Sequence, residues 1–150
     1  MSKKDAQHKL DPTKIEIRDF QILEGSIQSP FEFDISKVKD HEFSSGLNVG
    51  FALDHKLIKT DFSISVATDS NGENEKEAEG KFVFTFIFQV DNLDELTEVD
   101  ENQEVTMDYG LANAISSITY STSRGILMTR FQGTALRSFI LPVIDPNELL

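Results

Sequence analysis

The sequence contains no cysteine and no tryptophan, only 4 prolines, and no run approaching roughly eighteen apolar residues. The lack of cysteine excludes disulfides, zinc–thiolate sites and cysteine nucleophiles, and fits a reducing compartment. The N-terminus begins basic at Lys3 and Lys4 but leads into no apolar core of a signal peptide, so a cytoplasmic chain without membrane insertion is expected. Positive charge is scarce: 14 Lys+Arg stand against 26 Asp+Glu, giving a net charge of -12, which argues against nucleic-acid binding. Catalytic signatures are missing too. There is no glycine-rich phosphate loop, no Gly-x-Ser-x-Gly elbow and no carboxylate pair in an apolar setting. The three histidines, His8, His41 and His55, lie too far apart for a metal-spaced pair. Asp54-His55 beside the many serines is the kind of pairing that chance supplies. No metal, no cofactor and no enzymatic activity are expected.

At 150 residues, with 39% hydrophobic and 27% charged residues, the chain suits one self-supporting domain. Residues 1–13 read as a flexible arm and 14–150 as the domain. From Lys14 to Glu24 the apolar residues change parity, Ile15 and Ile17 first, then Phe20 and Ile22, which predicts a strand with a bulge near Arg18-Asp19. Leu47, Val49, Phe51 and Leu53 alternate with polar or small residues as a half-buried strand does. Ile58, Thr60, Phe62, Ile64 and Val66 repeat the pattern after a turn at His55-Lys56. Residues 69–80 carry five acids and one lysine and read as a solvated hairpin loop, with Gly72 misplaced for a calcium loop. The next strand sets Phe82, Phe84, Phe86 and Phe88 on one face and Val83 and Ile87 on the other. We expect both faces to be covered.

Residues 91–108 hold eight acids and no basic residue, a solvated connector. The fifteen residues 109–123 then carry no charge at all. Leu111, Ile115, Ile118 and Thr122 follow helical spacing, and Arg124-Gly125 reads as a stop. The opposite face of this helix is Ala, Ser, Thr and Asn, poor as a water-facing surface, so a partner subunit is expected to cover it. Residues 126–144 form an apolar segment without period, interrupted by Pro142. Asp145-Pro146-Asn147-Glu148 reads as the start of a short C-terminal helix.

This order of elements resembles the SecB family of protein-export chaperones. The resemblance rests most on LANAISSITYSTSRG (111–125), similar to the family's long helix, and on LPVIDPNELL (141–150), similar to its proline-containing second helix; IRDFQILEGSIQSP (17–30) matches more loosely. It implies an α+β fold, a four-stranded antiparallel sheet with a long helix and a short C-terminal helix. It further implies a homotetramer, a dimer of dimers, with Leu111, Ala114, Ile115, Ser117 and Ile118 at the oligomer interface. The implied activity is ATP-independent holding of unfolded or nascent polypeptides in apolar grooves, with Val83, Ile87, Phe131, Leu136, Phe139 and Leu141 as client-binding residues. Glu24 falls at an acidic position that such proteins use to dock a translocation ATPase, whereas the next such position is Gln28 here. By this reading the family's C-terminal ATPase-binding tail is absent after Leu150, which leaves a dedicated client, such as a toxin–antitoxin pair, beside an export role. The alternative is an oligomeric adaptor or structural subunit on the same fold, its apolar segments filled by self-packing.

Overall fold

In the computed structural model the described residues are 10–70 and 77–150. Four strands, β1 (Ile15–Gln28), β2 (Asp40–Ala52), β3 (Leu57–Asp69) and β4 (Glu79–Val90), form an antiparallel sheet in the order β1-β4-β3-β2. A two-stranded ribbon, β5 (Thr97–Val99) and β6 (Val105–Met107), precedes the helix α1 (Tyr109–Arg130). The fold is α+β, as expected. The arm's first nine residues and the loop glycine Gly72 lie outside the described residues, whereas Leu10 packs on the core.

Pattern and pairing agree closely in β1. Its register shifts between Ile17 and Asp19, where the parity change predicts a bulge, and again between Ile22 and Glu24. Each shift inserts one residue and restores the facing, so Ile15, Ile17, Phe20, Ile22 and Ile27 all pair with residues on the phenylalanine face of β4. β2 starts at Asp40, earlier than its apolar alternation, because His41-Glu-Phe-Ser-Ser-Gly46 continues the pairing with β3 using few large side chains.

One face of the sheet carries the core. Ile58, Phe62, Ile64 and Val66 of β3 and all four phenylalanines of β4 are buried there. At roughly 1.5–3 kcal/mol per buried large side chain, this layer dominates the stability of the domain. α1 lies across it with Leu111, Ile115, Thr119, Tyr120 and Leu127 inward. Asp108 caps the helix by accepting from the Leu111 amide at 3.1 Å. The helix does not stop at Arg124-Gly125. Leu127 extends the buried stripe by another turn, and the left-handed glycine is Gly133, φ 78°, beyond the true end at Arg130. The expected short C-terminal helix is a single 3₁₀ turn, Pro146–Leu149, capped by Asp145 and tied to the start of α1 by Asn147 donating to the Tyr109 hydroxyl at 2.9 Å. The opposite face of the sheet is not covered by any element among the described residues, contrary to the expectation for β4.

Candidate functional site

The segment after α1 turns over the open end of the sheet. A Cβ on Gly80 would stand 2.9 Å from Cε1 of Phe131 and 3.2 Å from Cδ1 of Leu136, so the missing side chain makes room for both. Phe131 meets Phe82 edge-on at 5.9 Å, and Phe139 packs on His41 and Phe43 at 5.4 and 5.2 Å. The Ala135 amide donates to Ser29 Oγ at 3.0 Å, and the Tyr120 hydroxyl donates to the Pro142 carbonyl at 2.5 Å. Phe131 and Leu136 are 0% exposed, and Phe139 and Leu141 are also buried. All four expected client-binding side chains of this segment are packed in the core of this chain. An aperiodic segment can serve as core here because its backbone is satisfied locally, Thr134, Arg137 and Phe139 each donating to the carbonyl three residues earlier.

The other two expected client residues stand elsewhere. Val83 and Ile87 point to the helix-free face, half-buried, with Val83 paired to Glu24 across the β1–β4 ladder. Glu24 is exposed. One groove therefore does not gather Val83, Ile87 and the segment 131–141, since the sheet lies between them. The helix-free face is polar: Asp61 accepts from Thr85 Oγ1 at 2.5 Å, and Lys59 pairs with Asp61 at 3.6 Å. Along β2 and β3 it is floored by the small residues Ser44, Gly46, Ser63 and Ser65, which line a shallow cavity of ≈ 210 Å³.

On α1 the expected interface residues divide. Leu111 and Ile115 are fully buried against the protomer's own sheet, while Ala114, Ser117 and Ile118 are only partly covered. The open side of the helix runs through Ala114, Ser117, Ser121, Gly125 and Met128, uncharged as far as Ser123 and then carrying the half-buried Arg124. On the inward side Thr119 and Thr60 share a hydrogen bond at 2.9 Å, and the hydroxyls of Ser116 and Ser123 are buried without a protein partner.

Sequence reasoning missed the apolar side chains that the fold leaves open. Ile17 is 48% exposed, Phe20 37% and Phe43 44%, and Leu23 is exposed at the second bulge. Phe20 lies tilted against the buried Phe86, centroids 5.0 Å apart, so its ring extends the core to the edge of the sheet. A cavity of ≈ 460 Å³ opens beside it between Ile22, Gly25, Ile27, Phe82 and Arg130. The signal was the first parity change itself: a strand that twice corrects its facing has a reason to keep apolar residues on one side.

Titration is perturbed at few groups. Burial holds the His41 imidazole below its ordinary value against the opposing pull of Asp40, and burial pushes the Tyr120 phenol up. Asp11 and Asp34 are lowered by the side-chain and backbone hydrogen bonds they accept from Thr13 and Ser36. Among the described residues no three His, Asp or Glu side chains are grouped to hold a metal, and no helix is long and apolar enough to cross a membrane.

An α+β protomer with this strand order, a helix on one face and a C-terminal segment returning along the helix is a SecB-like fold. Among solved structures the chain is similar to Rv1957 of Mycobacterium tuberculosis, a SecB-like chaperone in complex with a ChAD peptide from the Rv1956 HigA1 antitoxin. The TM-score is 0.59 at 12% sequence identity, covering 88% of this chain and 91% of that one. No protein-family model and no curated protein matches the sequence.

Proposed function

We propose that this chain is a SecB-like chaperone that holds unfolded or nascent polypeptide segments without a nucleotide, a metal or any other cofactor. One observation carries the reading: on a SecB-like fold, apolar side chains at both sheet edges, Ile17, Phe20 and Phe43, remain open beside a sealed phenylalanine core. Rv1957 was solved with an antitoxin peptide, which supports a peptide as the ligand class and a toxin–antitoxin client as one candidate. Export through a translocation ATPase is the other, docking on the polar face around Glu24 with Val83 and Ile87 beside it. The open side of α1 before Arg124, with Ala114, Ser117 and Ile118, is proposed to pair protomers into a homotetramer in the cytoplasm. A net charge of -12 keeps such client complexes soluble.

The burial of Phe131, Leu136, Phe139 and Leu141 favours a second reading, an oligomeric adaptor whose apolar segments fill themselves. Purified chain mixed with a chemically denatured protein on dilution separates the two. A chaperone suppresses light scattering near equimolar ratio and forms a complex visible by native mass spectrometry. Neither effect, from a folded oligomer, leaves the adaptor.

A further inference from the structure

Two glycines stand on the helix side of the sheet, Gly25 opposite Phe82 and Gly80 opposite Ile27. The space that Gly80 leaves is filled by Phe131 and Leu136. The space beside Gly25 is not. A Cβ there would stand 3.1 Å from Cε1 of Phe82 and 3.2 Å from Cγ2 of Ile22, and a hollow of ≈ 460 Å³ opens between Ile22, Gly25, Ser26, Ile27, Phe82 and Arg130. The register shift between Ile22 and Glu24 sets Leu23 out of the alternation and leaves Ile22 and Ile27 as the two apolar ends of this hollow. Strand rise puts those ends at most about 16 Å apart.

One charge lines this apolar hollow, and no acid answers it. The Arg130 guanidinium has no hydrogen bond or ion pair among the described residues. The carboxylates nearest the lining are turned away or engaged. Glu24 and Glu79 stand on the helix-free face, opposite Val83 and Gln28, and Glu77 accepts from Thr68 Oγ1 at 2.5 Å and from the Ser70 amide at 3.1 Å. The carbonyls at the end of α1 are paired as well: those of Leu127 and Thr129 accept from the amides of Phe131 and Gln132, and that of Met128 from Gln132 Nε2. A guanidinium beside an apolar wall selects a carboxylate that carries an apolar body. The net charge of -12 opposes an anion mainly at long range, where physiological salt screens it beyond about 8 Å. A polypeptide is resisted at the same place. β1 carries Arg18, Asp19 and Glu24 and two register shifts, so an added strand finds no continuous ladder there, whereas a molecule shorter than the hollow needs none.

We infer that this hollow binds a small apolar carboxylate, a straight-chain or aryl acid of about eight carbons, with its body on Ile22, Ile27 and Phe82 and its carboxylate on Arg130. The site is independent of the chaperone reading. Its test is octanoate, kept below its micellar range and titrated into the full chain carrying carbon-13 methyl labels on isoleucine. The methyl signals of Ile22 and Ile27 shift together and saturate, while those of Ile58 and Ile115 in the sealed core hold still. Octanamide, with the same body and no charge, binds at least about tenfold more weakly, as does octanoate to the Arg130→Gln protein, whereas Arg130→Lys keeps the affinity within about threefold. Arg130 is exposed, so these variants melt as the wild type does and a lost shift reports on binding alone. Equal binding of octanamide, or of octanoate to the Arg130→Gln protein, overturns the anion site. Shifts that begin at Ile58 or Ile115, or no saturation by about 5 mM, overturn the hollow itself. An apolar peptide amidated at its C-terminus that moves the same two methyls and displaces octanoate gives the hollow to polypeptide and overturns the assignment too.

Discussion

Gly80 and Phe131 show what a single residue decides in this fold. The absent side chain on β4 admits a ring that closes the end of the core, so the ring stabilises the protomer and is not free to meet a client. Phe131→Ala should cost about 3–5 kcal/mol in urea denaturation, as large-to-small changes at sealed aromatic sites do. A loss of client holding with unchanged stability would instead restore Phe131 to the binding surface. His41 offers a second measurement at this scale. Its ring lies against Phe139, with Nε2 3.3 Å from Ser138 Oγ, and burial keeps its folded pKa below the ordinary 6.5. Above that value both folded and unfolded chains hold it neutral. As the pH falls below it, the unfolded chain takes up a proton that the folded chain resists, so stability declines toward the lowered folded value. Denaturant melts at about pH 7.5 and about 5.5 should show that slope, and His41→Asn should flatten it.

Among elements, α1 was legible as to face but not as to end. The apolar spacing from Leu111 gave the helix and its uncharged side, whereas Arg124-Gly125 imitated a stop that the backbone does not take, because glycine terminates a helix only where φ turns positive. β5 and β6 were hidden among acids, since three-residue strands leave no period to read. The client set read from sequence failed to assemble for a related reason: alternation places Val83 and Ile87 on a face of β4, but only the path of residues 131–141 decides which face receives Phe131. The helix also sharpens a mutational contrast. Ser116 is 0% exposed within one protomer and Ser117 is not. Ser116→Lys should therefore unfold the chain, burying an unpaired charge at a cost of several kcal/mol. Ser117→Lys should leave circular dichroism and melting of the protomer intact while dissociating the proposed oligomer in equilibrium sedimentation. A wild-type chain that sediments as a monomer at micromolar concentration removes that interface.

For the molecule as a whole, 26 acidic residues against 14 basic ones create self-repulsion, and ion pairs such as the exposed Arg18–Glu16 and the partly exposed Lys59–Asp61 are weak. Raising ionic strength from about 0.01 M to about 0.5 M should raise the melting temperature, because screening shortens the reach of like charges; a falling melting temperature would mean that exposed pairs matter more than repulsion. The order of the sheet has a bearing on time as well as on shape. β2, β3 and β4 follow one another as a meander, but β1 finds its place only beside β4, Ile15 opposite Val90. Loop closure makes such distant pairing slow relative to local hairpins, so the meander should form in the folding transition state and β1 should dock afterwards. Ile64→Val in β3 should slow refolding, whereas Ile22→Val in β1 should chiefly speed unfolding, in stopped-flow chevrons. On the ribosome the same order means that β1 is synthesised before its partner, and the charges along it should disfavour pairing with a neighbouring chain before Val90 has emerged.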